Sequence, residues 1–456
     1  MKILLSLLFV FCFLTANSQK EDSSFVRKIY DIALTEGKAY EDLRSLCKDI
    51  GARLTGSAEA EMAVYWAKEK LESYGFDKVY LQPIEVPHWE RGNKEVAWYK
   101  EKSGKLNKLN ILALGGSVGT NGKMAGEIVY FNSLEALKEA KRKSVEGKIV
   151  FINKPFDQRL IRTGAAYGAC WAIRGYGAIE ASKLGAKAII IRSLATPIDN
   201  HPHTGSMYYE DSVPKIPAAA ISSADAEKLA ALCLKNKTEF IFEMDCRVYP
   251  NTKSFNVIGE ITGSKNPNNI ITFGGHLDSW DVGEGAHDDG AGVVHSIEAL
   301  RILKEMNYKP NNTLRCVLFM NEENGNFGGK QYAKWTKEKG ENQVHAIESD
   351  AGGFSPRGFG CSGSPEDLAL FQSFEELLRP YLLHQFVEGG GGVDIGPLKD
   401  EFPNIALYGL KPDTHRYFDY HHTHNDVFEN VNKRELEMGA AAMSSLIYLL
   451  DKYSLK

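Results

Sequence analysis

The chain has 456 residues, a formal net charge of -5, 43% hydrophobic residues and 25% charged residues. These values are those of an ordinary globular protein. No Lys/Arg tract interleaved with aromatics is present, which argues against a nucleic-acid partner, and the length calls for two folded units rather than one core.

The chain opens MKILLSLLFVFCFLTANSQK. Lys2 supplies a positive start, Ile3 to Leu14 an apolar run, and Ala16 and Ser18 small residues suited to cleavage. Residues 1–18 therefore read as a secretory signal peptide, too short to span a bilayer comfortably. No later apolar run approaches the ~20 residues of a membrane helix. The expectation is a secreted or periplasmic protein with no membrane contact after signal removal. Cys12 leaves with the signal. The six remaining cysteines have no CxxC spacing, which argues against a cysteine-ligated zinc site. Cys233 and Cys246 are near enough in sequence to pair in an oxidising compartment.

Residues 19–108 read as the N-terminal part of the main domain. A helix is expected over Asp22 to Ile50, with Leu43, Leu46 and Ile50 at helical spacing. Gly51 to Ser57 breaks it, and a second helix runs Glu59 to Tyr74 before Gly75. Val79 to Val86 alternates as a strand that Pro87 ends. Over residues 109–252 short β-rich runs alternate with turns, at 127–131, 148–152, 188–191 and 239–242, with one helix near 176–184. This stretch reads as an inserted β-rich domain. From 253 to 456, apolar strands at 270–273, 314–320, 344–347 and 405–410 alternate with helices near 292–305, 365–383 and 433–453. That order predicts an α/β fold, a mostly parallel central sheet flanked by helices on both faces.

Acids and histidines gather just after these strands, where open α/β sheets place their ligand crevice. His276 and Asp278 alternate at the end of the first strand, so both can project the same way. A histidine supported by a carboxylate suits a zinc ligand. Asp288 and Asp289 follow in a glycine-rich turn that opens a helix, where one Asp could serve only as an N-cap. Glu322 and Glu323 end the next strand. Buried together they would repel unless a cation is near. Asp350 ends another strand. His421, His422 and His424 lie within ten residues of Tyr417. The set supplies His, Asp, Glu, Asp and His in chain order, too many for one catalytic zinc and suited to two ions about 3.5–4 Å apart.

The segments GGHLDSWDVGEGAHDDGAG, LRCVLFMNEENG, ESDAGGF, GGGGVDIGPL and YFDYHHTHND resemble the zinc aminopeptidase family that carries an inserted protease-associated domain. GKIVFIN, EASKLGAKAIII and IPAAAIS resemble that inserted domain. The resemblance implies a zinc exopeptidase fold with two Zn2+ per chain. His276 and Asp350 would bind one ion, Glu323 and His422 the other, and Asp288 would bridge. Asp278 would orient His276, and Glu322 would be the general base. Asp394, beside the run Gly389–Gly392, would contact the substrate α-amine. Short peptides with a free amine are the implied substrates, and a homodimer the implied assembly. The competing readings are a C-terminal glutamate carboxypeptidase and a non-catalytic receptor-like ectodomain on the same scaffold.

Overall fold

The computed structural model describes residues 20–454. The signal-like segment over residues 1–18 lies outside them. Among the described residues no helix is long and apolar enough to cross a membrane.

The first helical stretch spans 20–36 and resumes over Ala39–Ser45 and Leu46–Ile50. The single helix expected from 22 to 50 is thus interrupted at Gly37, where a Cβ would collide with the Ala33 carbonyl and the Glu437 carboxylate. The next helix, Ala58–Ser73, is capped by Ser57, whose side chain accepts from the Ala60 N–H at 3.0 Å.

The main sheet has eight strands in the spatial order Lys78–Glu90, Arg247–Ile261, Asn312–Phe319, Asn266–His276, Asn342–Glu348, Ala406–Pro412, Pro356–Ser362 and Gln385–Glu388. The four from Asn312–Phe319 to Ala406–Pro412 are mutually parallel, and antiparallel pairs flank them. Both faces are covered, as the continuous apolar runs require. Cys316 and Leu318 join the core beneath helices Ala291–Glu305 and Lys433–Tyr453. Val317 and Phe319, alternating with them, join the opposite core with Tyr332 and Ala333 of helix Phe327–Glu338. The edge strand does not stop at Pro87. Its register shifts between Val86 and His88, and pairing resumes through to Glu90 opposite Arg247. Proline is tolerated there because an edge position and a bulge both leave its missing N–H without consequence.

A second eight-stranded sheet is built wholly from residues between Glu95 and Met244. The chain leaves the main sheet after Glu90 and re-enters at Arg247, opposite the point of departure. The sequence-based boundaries were 109 and 252. In the structure Glu95–Lys100 already belongs to the second sheet, and Arg247–Ile261 belongs to the first. The helix expected near 176–184 spans Thr163–Lys183. Its first half is rich in Gly and Ala and carries no apolar period. The stretch 365–383 is three short helical pieces rather than one helix. All six described cysteines are free thiols, so Cys233 and Cys246 are not bridged.

Candidate metal centre

His276 is the last residue of the central strand Asn266–His276 and is fully buried. Its Nε2 lies 3.2 Å from Asp288 Oδ1 and 3.7 Å from Asp350 Oδ1. Asp350 follows the neighbouring parallel strand, so adjacent strand ends bring the pair together. On the other side of Asp288, its Oδ2 lies 3.1 Å from His422 Nε2, which in turn lies 3.1 Å from Glu323 Oε2. Asp288 therefore stands between two donor pairs, His276 with Asp350 and Glu323 with His422.

Asp289 has a different task. Its carboxylate accepts from the backbone N–H groups of His276 at 3.1 Å and Gly292 at 2.9 Å, which ties the strand end to the start of the helix. Asp426 does the same for the turn before it, accepting from the N–H groups of His287 at 2.7 Å and Asp288 at 3.0 Å. Of the three clustered histidines, His424 is exposed. His421 is stacked on His422, with ring centroids 3.5 Å apart, and its Nε2 lies 3.6 Å from Asp288 Oδ2. Only His422 approaches both Asp288 and Glu323.

The Nδ1 of His276 meets the backbone carbonyl of Asp278 at 2.9 Å, while the Asp278 carboxylate stays 3.8 Å away. That carboxylate faces the next strand end. It accepts from the N–H groups of Asn321 at 2.8 Å, Glu322 at 3.1 Å and Glu323 at 3.4 Å, and from the Thr55 hydroxyl at 2.9 Å. Asp394 is fully buried with neither carboxylate oxygen hydrogen-bonded.

The electrostatics fit a cation. Burial, with Asp350, Glu323 and Asp288 nearby, drives the half-buried Glu322 carboxyl well above its usual range against the opposing pull of His276. Burial and Asp288 push Glu323 up to about 7. Burial depresses His422, but Glu323 and Asp288 outweigh it and raise it to about 9. Carboxylates confined in this way repel, and bound cations relieve the repulsion. Four buried atoms of the cluster, His276 Nε2, Asp288 Oδ2, Glu323 Oε1 and Asp350 Oδ1, have no hydrogen-bond partner. Buried polar atoms are rarely left so, and these are imidazole and carboxylate donors of the kind zinc takes. The donor set fits such an ion.

Several residues at the centre were not singled out from the sequence. Trp280 helps to line the concavity above Asp288, Glu323 and His422. Tyr167, Arg174 and Thr204 come from the inserted segment. Arg174 Nη1 lies 3.5 Å from His422 Nδ1, and the Tyr167 ring meets His421 edge-on at 5.2 Å. Short spacing to a motif could not have revealed them, since they lie more than two hundred residues from the histidines they approach.

An α/β sheet with acids and imidazoles converging beyond its parallel strand ends has the layout of a metal-dependent enzyme. The profile of peptidase family M28 matches residues 256–447. Carboxypeptidase Q of Homo sapiens is 36% identical over 418 residues, covering 91% of this chain and 85% of that protein. Carboxypeptidase Q of Bos taurus is 35% identical over the same length. A solved peptidase M28 precursor from Shewanella amazonensis superposes with a TM-score of 0.90 at 34% identity, covering 96% of this chain and 98% of that one. The chain belongs to peptidase family M28. The fold alone is shared with an aminopeptidase from an Aneurinibacillus species, with a TM-score of 0.63 at 22% identity over 93% of this chain and 95% of that one.

Proposed function

We propose that the chain is a dizinc exopeptidase that hydrolyses dipeptides, or removes N-terminal residues from short peptides, when the α-amine is free. His276 and Asp350 would hold one zinc, Glu323 and His422 the other, with Asp288 shared. When bound, the ions supply positive charge that polarises the scissile carbonyl and acidifies water. Glu322 accepts the proton of the attacking water and passes it to the leaving amine. Asp278 holds the Glu322 backbone in place for both transfers. Asp394 offers its charge to the substrate ammonium. The leader over residues 1–18 supports export, and residues 95–244 fit a protease-associated domain.

The observation that carries this reading is the set of four orphaned donor atoms on His276, Asp288, Glu323 and Asp350. The carboxypeptidase Q relatives and the aminopeptidase fold support an exopeptidase. A receptor-like ectodomain would have no use for a complete donor set with an additional glutamate beside it. The test is metal analysis of the purified protein together with a panel of free, N-acetylated and C-amidated dipeptides. Two zinc ions per chain and cleavage that acetylation abolishes are expected. Cleavage insensitive to acetylation but abolished by amidation would favour a carboxypeptidase, and metal-loaded protein inert on every unblocked dipeptide would end the proposal.

A further inference from the structure

The segment Pro202–Gly205 of the second domain lies against the histidine loop. The Thr204 N–H donates to the His422 carbonyl at 2.9 Å, and the Thr423 hydroxyl donates to the Pro202 carbonyl at 3.0 Å. His203 Nδ1 meets the His421 carbonyl at 2.6 Å. These bonds hold His422 at a φ of 62°, a left-handed conformation uncommon for a non-glycine residue and kept only where surroundings enforce it.

The side chain of His422 is addressed from the same direction. The Thr204 carbonyl lies 3.3 Å from His422 Nδ1 and also accepts from Arg174 Nη1 at 3.3 Å. The carbonyl can only accept and Arg174 Nη1, 3.5 Å from the same Nδ1, can only donate; the shorter contact is to the carbonyl, and Arg174 has that carbonyl as its own acceptor, which assigns the ring proton to Nδ1. That tautomer leaves the Nε2 lone pair directed at Asp288 and Glu323, as a metal ligand requires. Arg174 is 4% exposed and packs on Gly205, where a Cβ would collide with the guanidinium. Its Nη2 donates to the Tyr167 hydroxyl at 2.5 Å. Arg174 thus meets the imidazole at its Nδ1 edge, whereas Nε2 is the atom that faces Asp288 and Glu323.

We propose that Arg174 is a positioning residue for the metal centre, acting through the Thr204 carbonyl to fix the tautomer and orientation of His422, so that the second domain completes a donor set lying in the first. The inference rests on reading the cluster as a metal centre. It means that the two domains cannot be separated without weakening one ion.

The experiment is zinc competition against a chromophoric chelator on the full chain, for the wild type, Arg174→Met, Arg174→Lys and Tyr167→Phe, with kcat, KM and the thermal midpoint of the metal-free proteins. Loss of a partner that orients a metal ligand costs about 10–100-fold in affinity. Arg174→Met is expected to weaken one of two zinc ions by that factor, with kcat falling, KM moving less than about twofold and the metal-free midpoint unchanged. Arg174→Lys, which keeps a donor for Thr204, restores part of the affinity. Tyr167→Phe, which leaves the guanidinium in place, gives a smaller loss in the same direction and serves if Arg174→Met does not fold. Unchanged zinc affinity with raised KM would make Arg174 a substrate contact and overturn the proposal. Unchanged affinity with only a lowered midpoint would overturn it as well. A wild type that binds no zinc would instead defeat the reading of the centre itself.

Discussion

The Asp278 carboxylate holds Glu322 by its backbone, accepting from the Glu322 N–H at 3.1 Å, with further bonds from Asn321 and Thr55. His276 is served by the Asp278 carbonyl instead. One residue therefore steadies a donor through its main chain and the glutamate through its side chain. The substitution Asp278→Asn spares the carbonyl and removes the charge that holds the N–H groups. We expect kcat to fall about 10–100-fold, the cost typical of a supporting partner, with zinc content near that of the wild type. Loss of zinc in parallel with activity would instead tie Asp278 to the ligands.

Glu322 lies among the donors, but its N–H and not its carboxylate carries its hydrogen bond to the scaffold. Glu322→Gln keeps shape and removes basicity. General acid–base catalysis contributes about 10²–10⁴-fold, and a loss of that size in kcat is expected with the metal content of the wild type retained. Turnover near wild type would remove Glu322 from the mechanism.

Metal removal should destabilise the fold as well as abolish activity. Without cations, Asp288, Glu323 and Asp350 crowd two imidazoles in a buried site. An ion that binds only the folded state contributes about 2.7 kcal/mol when its concentration is a hundred times its Kd. The thermal midpoint should fall on adding a chelator and recover on adding zinc. A midpoint indifferent to both would count against metal at this cluster.

Much of the centre was legible in the sequence for one physical reason. In a parallel sheet buried on both faces, strands read as apolar runs, and the residue where each run ends points into the crevice. His276 ends its strand, and Glu323 and Asp350 lie in the turns just beyond theirs. The N-cap reading offered for one of the paired aspartates fits Asp289, which accepts from the Gly292 N–H, but the role of Asp278 was not legible, because whether a residue acts through its carboxylate or its carbonyl depends on the chain opposite. Arg174 and Thr204 were hidden for another reason. The helix carrying Arg174 begins with Gly164, Ala165, Ala166 and Gly168, which give no apolar period, and Thr204 lies in a loop whose partner is 218 residues away.

Away from the centre, a buried acid pair predicts a pH dependence of stability. Glu437 accepts from the Tyr40 N–H at 3.1 Å, and Glu298 accepts from the Lys38 N–H at 3.3 Å, so both face the same helix start. Burial and the nearby Glu298 raise Glu437 to about 7, against weaker opposing pulls from Tyr40, Lys433 and Arg301. Between the ordinary carboxylate range and pH 7 the folded chain then binds more protons than the unfolded one, so stability falls as pH rises through that window. Glu437→Gln removes the titration. It should match the wild type near pH 5 and exceed it near pH 8, by on the order of 2–3 kcal/mol. Comparing the two proteins by denaturant unfolding at equal metal content isolates this site from the candidate metal centre. A constant difference across pH would show that Glu437 does not titrate in the window.

Asp394 carries the prediction about substrate. The Glu348 carboxylate gathers the loop before it, accepting from the N–H groups of Val393 at 2.9 Å, Asp394 at 3.0 Å and Ile395 at 3.0 Å. A side chain at Gly392 would collide with that carboxylate, which is why glycine occupies the turn. The loop so held buries Asp394 completely, and burial together with Glu348 drives its carboxyl well above the usual range. A buried carboxylate with no donor is costly, and a cation is the partner that offsets the cost. On the proposed reading, a substrate ammonium would supply that charge in the complex. Asp394→Asn should therefore raise KM for free dipeptides about tenfold, equivalent to roughly 1.4 kcal/mol, with a smaller change in kcat. It should also narrow the gap between free and N-acetylated substrates, since the variant has less charge to offer an amine. An unchanged KM would place the ammonium elsewhere and leave Asp394 as a strut for its own loop.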